Sequence, residues 1–322
     1  MDEVLDKEDF LDNIWDAMLI DGKLYFAASG VYLSSLVGNS DTVGDKNSVS
    51  INDIYDINQK CKDGQIIFGP KSKDDILHEF FRMGAGEFID EENKCNFDSD
   101  DLKTLLKFCN ENGQDAPKDN INESEEIEAV KEGKIFFTER TVIKLENIIL
   151  LNDILGDKVR FVGYPGKDSG YSYFRFNNAI GISAASEYKE EAWRFVRTFF
   201  SKEHQGKLEN GNIPLRKDCF EMMKKAYTAE DEYVDELGNR VHSIEGRVQF
   251  DEIIVDLRPL TEKEMNVYAE LITNTNRCMD MDDTIPNIIY EESKLYFDGK
   301  KSLDETVQVI QNRAQTYLDE NK

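Results

Sequence analysis

Carboxylates are the most abundant reactive groups in this chain, and several stand side by side: Asp282-Asp283, Glu291-Glu292 and the run Asp98-Ser99-Asp100-Asp101. Two carboxyl groups held about 5 to 9 Å apart are the acid–base or nucleophile machinery of glycoside hydrolysis. With 65 Asp and Glu among 322 residues, adjacent acids arise by chance, so these pairs carry little weight. The cluster at 98–101 lacks the glycine and the distant glutamate of a calcium loop, and acids favour a helix N-terminus in any case. There is no GxSxG elbow, Walker loop or HExxH helix, and Gly84-Ala85-Gly86-Glu87-Phe88 is not a dinucleotide fingerprint. Cys61, Cys95, Cys109, Cys219 and Cys278 are odd in number and have no CxxC spacing. None of His78, His204 and His242 lies near a cysteine pair, so neither a disulfide framework nor a zinc site is indicated.

A different chemistry suits the stretch from Tyr171 to Asn178, which holds Tyr171, Tyr173, Phe174, Arg175 and Asn177. Flat aromatic faces cover C–H surfaces, and planar polar side chains make paired hydrogen bonds to hydroxyls. The same residues would also make an exposed loop anchored by its aromatics, and both readings stand at this point. Lys and Arg number 39, for a formal charge of -26. Such a field repels phosphate backbones and anionic lipid heads, which disfavours nucleic acid and peripheral membrane binding and favours solubility. Mean hydropathy is -0.56, and no run of about 18 apolar residues is present to span a membrane.

The elements that must position these groups alternate between helices and short apolar strands, a pattern of α/β layers with mostly parallel sheets. Leu24–Ala28, 31–37, Ile66–Phe68, Ile135–Phe137, Val159–Val162 and Ile180–Ala185 read as strands. Ser50 caps one helix, and another starts near Lys73 with Ile76, Leu77, Phe80 and Phe81 on one face. The 98–101 acids start a third helix, with Leu102, Leu105, Leu106 and Cys109 inward and Gly113 at its end. A polar helix covers Glu123–Lys131, and one helix over Glu187–Glu209 buries Ala192, Val196, Phe199 and Phe200, with Trp193 a core residue. The acidic stretch 227–260 reads as an insertion with a hairpin turn at Glu236–Asn239 and a strand over Val248–Leu257. Ser302-Leu303-Asp304-Glu305 is a capping box opening a terminal helix packed through Val307, Ile310, Ala314 and Leu318.

Two stretches carry a resemblance. Gly163–Arg216 reads GYPGKDSGYSYFRFNNAIGISAASEYKEEAWRFVRTFFSKEHQGKLENGNIPLR, and Ile285–Glu320 reads IPNIIYEESKLYFDGKKSLDETVQVIQNRAQTYLDE. Their order resembles the closing half of an extracytoplasmic solute-binding protein of an ABC importer, in the maltose-binding-protein-like sugar-binding family. Strand, small-residue turn, helix with Ala192-Trp193, Gly-Asn-Ile-Pro-Leu-Arg loop and a helix pair around Phe297-Asp298-Gly299 follow one another. Asn13–Asn39 is similar to a segment that, in the family, follows about a hundred residues of the first lobe.

The resemblance implies the type II periplasmic-binding-protein fold, α/β with two lobes and a hinge, the first lobe truncated at its N-terminus. Residues 1–33 would be a remnant of lobe 1 and 34–175 lobe 2. Residues 176–275 would continue lobe 1 with the insertion 227–260, and 276–322 would be helices packing on lobe 2. Met1 is followed by acidic DEVLDKEDF rather than by an export signal, so the signal and first strand–helix units are expected to be missing. The depleted lobe is expected to leave Leu24–Ala28 and Ile180–Ala185 without parallel neighbours.

The resemblance places ligand contacts on four loops and at the first crossing. These supply Asp74 (beside Ser72 and Lys73), Glu139 and Arg140, then Tyr171, Tyr173, Phe174, Arg175 and Asn177, then Asn276 and Asp282, and finally Tyr32. Where the family often presents an aromatic residue after a glycine in the loop following Ile135–Phe137, this chain has Thr141. The implied function is capture of a mono- or oligosaccharide and delivery to ABC permease subunits, as a monomer with no catalysis, cofactor or nucleic acid. The full-length form would be an extracytoplasmic, cell-surface lipoprotein. The alternatives are a truncated, non-binding paralogue acting as an interaction module, and a carbohydrate-active enzyme.

Overall fold

Reciprocal caps fix the starts of four helices. Ser50 with Asp53 opens Ile51–Gln59, Asn122 with Glu125 opens Glu123–Lys131, Thr261 with Glu264 opens Glu262–Asn274, and Ser302 with Glu305 opens Leu303–Glu320. In each, the cap oxygen accepts from the third amide of the helix while the carboxylate accepts from the cap amide, so two otherwise unpaired donors are satisfied. The computed structural model describes residues 5–20, 22–81, 85–115, 121–142, 144–167, 169–207, 212–278 and 283–321.

The chain divides into two compact units of similar length: residues 1–34, 140–157 and 172–278 form the first, and 35–139, 158–171 and 279–322 the second. One division falls inside the longest strand, Gly30–Asn39, whose residues are buried apart from the half-buried Tyr32. In the first unit its Gly30–Ser34 half pairs antiparallel with Tyr173–Asn177, setting Tyr32 directly opposite Arg175. In the second unit its Val37–Asn39 end pairs antiparallel with Val159–Phe161.

The second unit is held by aromatic packing and a helix cluster. Helices Lys73–Phe81 and Asp100–Asn112 meet through Phe80 and Phe108, whose rings lie 5.9 Å apart edge to face, and Phe88 stacks on Phe97 at 5.4 Å. Thr284–Phe297 and Leu303–Glu320 are tied by Glu292, which accepts from Arg313 at 2.7 Å and from Lys301. Gln311 satisfies the Phe97 amide at 2.6 Å and the Cys95 carbonyl at 2.8 Å, seating the terminal helix on the loop before Asp100.

The first unit is built on small two-stranded pieces. Phe26–Ala27 pairs antiparallel with Ile180–Gly181, and among the described residues this pair forms a sheet by itself. The strands expected over Leu24–Ala28 and Ile180–Ala185 are therefore present only as two-residue segments. Asn13 binds the Ile272 and Thr275 carbonyls at 2.7 and 2.6 Å, fastening helix Asp12–Met18 to the end of Glu262–Asn274.

Several local expectations change. Among the described residues Ile66 pairs parallel with Ile135 as a single bridge, and Ile66–Phe68 forms no longer strand. The strand expected over Ile135–Phe137 instead runs Phe137–Val142, through the Thr-Glu-Arg-Thr segment. The single helix expected over Glu187–Glu209 is broken. Helix Lys189–Val196 passes through a tight turn at Arg197–Phe200, and Ser201 takes an extended conformation and caps Lys202–Gln205. Within it Val196 and Phe200 are buried, but Ala192, Trp193 and Phe199 are only partly covered. The strand expected over Val248–Leu257 is a hairpin, Gly246–Phe250 and Ile253–Leu257, turning at Asp251-Glu252 with Asp251 at φ 50°. The Glu236–Asn239 turn does join two strands, Tyr233–Val234 and Arg240–Val241.

Candidate functional site

In the second unit the loop 163–171 folds back on itself and aims a carboxylate. Tyr164 and Tyr171 exchange backbone hydrogen bonds at 2.9 and 3.0 Å, and the Gly163 amide donates to Ser35 Oγ at 3.1 Å. Gly163 has φ +70°, and a Cβ there would lie 2.5 Å from the Tyr171 nitrogen, so the close turn requires glycine. The Tyr164 ring is buried, and its hydroxyl donates to Glu139 Oε1 at 2.8 Å. Glu139 is thus oriented by a phenol while remaining half-exposed. Tyr171 is also half-exposed. Asp74 lies in the first turn of Lys73–Phe81, half-buried, where Ser72 and Asp75 cap each other and Lys73 pairs with Asp115 at 2.6 Å.

In the first unit, antiparallel pairing places Tyr32, Ser34, Tyr173, Arg175 and Asn177 on one sheet face, because directly opposed residues project the same way. Ser34 and Thr141 hydroxyls lie 2.9 Å apart, holding the Arg140 segment beside the long strand. Arg175 is exposed, Tyr32 and Arg140 are half-exposed, and Asn276 is exposed on the loop after Glu262–Asn274. The next residue, Arg277, accepts the Phe174 amide at 2.9 Å through its carbonyl.

Two aromatic members of the expected set go elsewhere. Tyr173 and Phe174 are 1% and 0% exposed and contribute to the core, since the strand is covered on both faces there. Asp282 lies outside the described residues. The structure therefore brings Tyr32, Arg140, Arg175, Asn177 and Asn276 to the first unit, and Asp74, Glu139 and Tyr171 to the second.

Sequence reading missed a cavity of about 490 Å³ in the first unit, lined among others by Ser29, Asn177, Asn178, Phe199, His204 and Asn212. Asn178 Nδ2 donates to Ser29 Oγ at 3.1 Å, and Asn177 Nδ2 to Asn212 Oδ1 at 2.8 Å. Burial, with a smaller push from Lys207, lowers the His204 pKa, which favours the neutral ring at pH 7. The lining is thus amide, hydroxyl and aromatic without a fixed charge, a set suited to neutral hydroxylated ligands. The paired Asn177-Asn178 and the Gly-Asn-Ile-Pro-Leu-Arg loop were the available signals. Their convergence depended on strand register.

The fold is that of the type II periplasmic binding proteins, the solute-binding proteins of ABC transporters. An ABC transporter solute-binding protein from Thermotoga lettingae, bound with α-D-tagatose, superposes with a TM-score of 0.55 at 13% identity. The match covers 96% of this chain and 76% of that one. An ABC substrate-binding protein from Listeria monocytogenes, in complex with cycloalternan, gives 0.57 at 14% identity, covering 98% and 77% of the two chains. The sugar-binding protein MalE from Xanthomonas citri gives 0.59 at 13% identity, covering 99% and 77%. No family model matches the sequence, and no curated protein matches it.

Proposed function

We propose that this protein is a carbohydrate-binding component of an ABC importer, working outside the cytoplasm and presenting a captured mono- or oligosaccharide to permease subunits. The observation that carries this reading is the likeness of nearly the whole chain to solute-binding proteins, two of them bound to tagatose and cycloalternan. The side chains left accessible also suit it. Glu139 is aimed by Tyr164, and Tyr32 lies opposite Arg175. Arg140 is placed by the Ser34–Thr141 pair, and Asn177 lines an uncharged polar cavity. These are planar hydrogen-bonding groups with aromatic neighbours, the set that reads sugar hydroxyls. The role is binding rather than catalysis, by a monomeric surface lipoprotein.

A thermal-shift screen against mono- and oligosaccharides, amino acids and divalent metals tests this. We expect a raised melting temperature with one or more sugars, since a ligand that binds only the folded state stabilises it. A shift with amino acids or metals alone would overturn the reading.

One observation favours a second reading, a non-binding interaction module. Phe26–Ala27 and Ile180–Gly181 pair only with each other among the described residues, while Tyr25, Tyr188 and Phe195 are 56%, 69% and 62% exposed. Exposed aromatics of this kind mark contact surfaces when they are contiguous. The same screen, negative for every sugar, favours that reading.

A further inference from the structure

The hairpin Gly246–Leu257 lies in the stretch read as an insertion, and its tip reaches a residue of the candidate site. Phe250 and Ile253 are the last paired residues before the Asp251-Glu252 turn. The turn is closed by positive φ at Asp251 and by Gln249 Nε2 donating to the Asp251 carbonyl at 2.9 Å. Arg247 and Asp256 face each other in register and pair at 2.7 Å, which stiffens the two strands against each other. At the base, Arg258 donates to Glu264 at 2.7 Å and to Asp153 at 3.1 Å, and the Leu260 amide donates to the Tyr227 carbonyl at 2.8 Å. Val255 is buried. The hairpin is thus anchored at its root, and its tip projects from a fixed point.

At that tip the Arg140 guanidinium carbon lies 5.9 Å from the centre of the Phe250 ring. This is at the outer range of a cation–π contact, about 6 Å from carbon to ring centre. The guanidinium is planar by resonance, and a ring packed against it restricts the direction in which its fork points, as paired hydrogen bonding requires. Phe250 is itself half-exposed, so part of the ring remains uncovered. Thr141 follows Arg140 in sequence and offers no aromatic face.

We propose that Phe250 is a positioning and specificity residue of the carbohydrate site: it orients Arg140 and supplies the aromatic surface that Thr141 does not. The inference rests on the carbohydrate reading of Arg140. It makes the hairpin tip, rather than the crossing strand alone, a determinant of which sugar is accepted.

The test uses the full chain and the sugar giving the largest thermal shift, titrated by calorimetry into the wild type, Phe250→Leu and Phe250→Trp. Leu keeps apolar bulk without a π face, whereas Trp keeps the face. We expect Phe250→Leu to weaken binding by about three- to tenfold, with a melting temperature close to that of the wild type and affinity kept in Phe250→Trp. The Arg140 Nε–H resonance of the sugar-free protein should also lose its ring-current shift in Phe250→Leu. Unchanged affinity in Phe250→Leu overturns the proposal and leaves the carbohydrate reading standing. Absence of sugar binding by the wild type overturns that reading and the positioning role with it.

Discussion

At the scale of single residues, the direction of Glu139 is fixed by its phenol partner, and removing that partner should be measurable. Tyr164 donates to Glu139 at 2.8 Å from a buried ring, so Tyr164→Phe should cost about 0.5–1.5 kcal/mol by denaturant titration. Arg175 is exposed opposite Tyr32, with little of its side chain packed. Arg175→Ala should weaken sugar affinity by about 1.5–3 kcal/mol, the scale of a hydrogen bond to a charged group, with little loss of melting temperature. A large melting shift at unchanged affinity would assign it a structural role. Glu264 gives a pH prediction. The Arg258 guanidinium, helped by the Thr261 amide and hydroxyl and opposed by burial, holds its carboxyl down to about 2 against an ordinary 4.5. An unfolded chain takes up that proton first. The stabilisation is therefore complete above about pH 4.5 and lost as the pH falls towards 2. Screening at the 39%-exposed Arg258 reduces the effect to the order of 1–2 kcal/mol. Glu264→Gln should be less stable than wild type by that amount at pH 7, and its stability should fall less between pH 4.5 and 2.

At the scale of elements, what was legible in the sequence was what is decided locally. Ser50 and Ser302 each announce a helix start because the cap bond spans three residues, and the structure has both caps. The inward set Leu102, Leu105, Leu106 and Cys109 follows directly from helical spacing. Elements set by distant partners were harder to see. The break at Ser201 lies inside a favourable helical pattern, where the serine takes a cap's extended conformation. The stretch Val248–Leu257, apolar on both sides of Asp251-Glu252, hid a two-residue turn. In the site, Tyr173 and Phe174 look like ligand-facing aromatics but are covered on both strand faces, while the contact of Phe250 with Arg140 joins segments far apart in sequence. Two element-level substitutions follow. Ser302→Ala should cost about 1 kcal/mol through the lost cap of the terminal helix. Gly163→Ala, forced to positive φ against the Tyr171 backbone, should cost about 1–3 kcal/mol and free the 163–171 loop, read as lost amide protection at Tyr171.

At the scale of the whole molecule, each unit has its own core, but the first carries large apolar side chains that remain in water. Phe195 is 62% exposed and touches Phe199 with ring centres 5.8 Å apart. A formal charge of -26 opposes the self-association that such surfaces invite. On the proposed function, this charged, two-unit α/β protein captures a neutral sugar through planar polar side chains. Calorimetric titration of the full chain with mono- and oligosaccharides tests that most directly. Saturable heat is expected at one ligand per chain for at least one sugar, unaffected by chelator and lost or strongly weakened in Arg140→Ala. No heat with any sugar, or a sugar affinity that Arg140→Ala leaves unchanged, would contradict it.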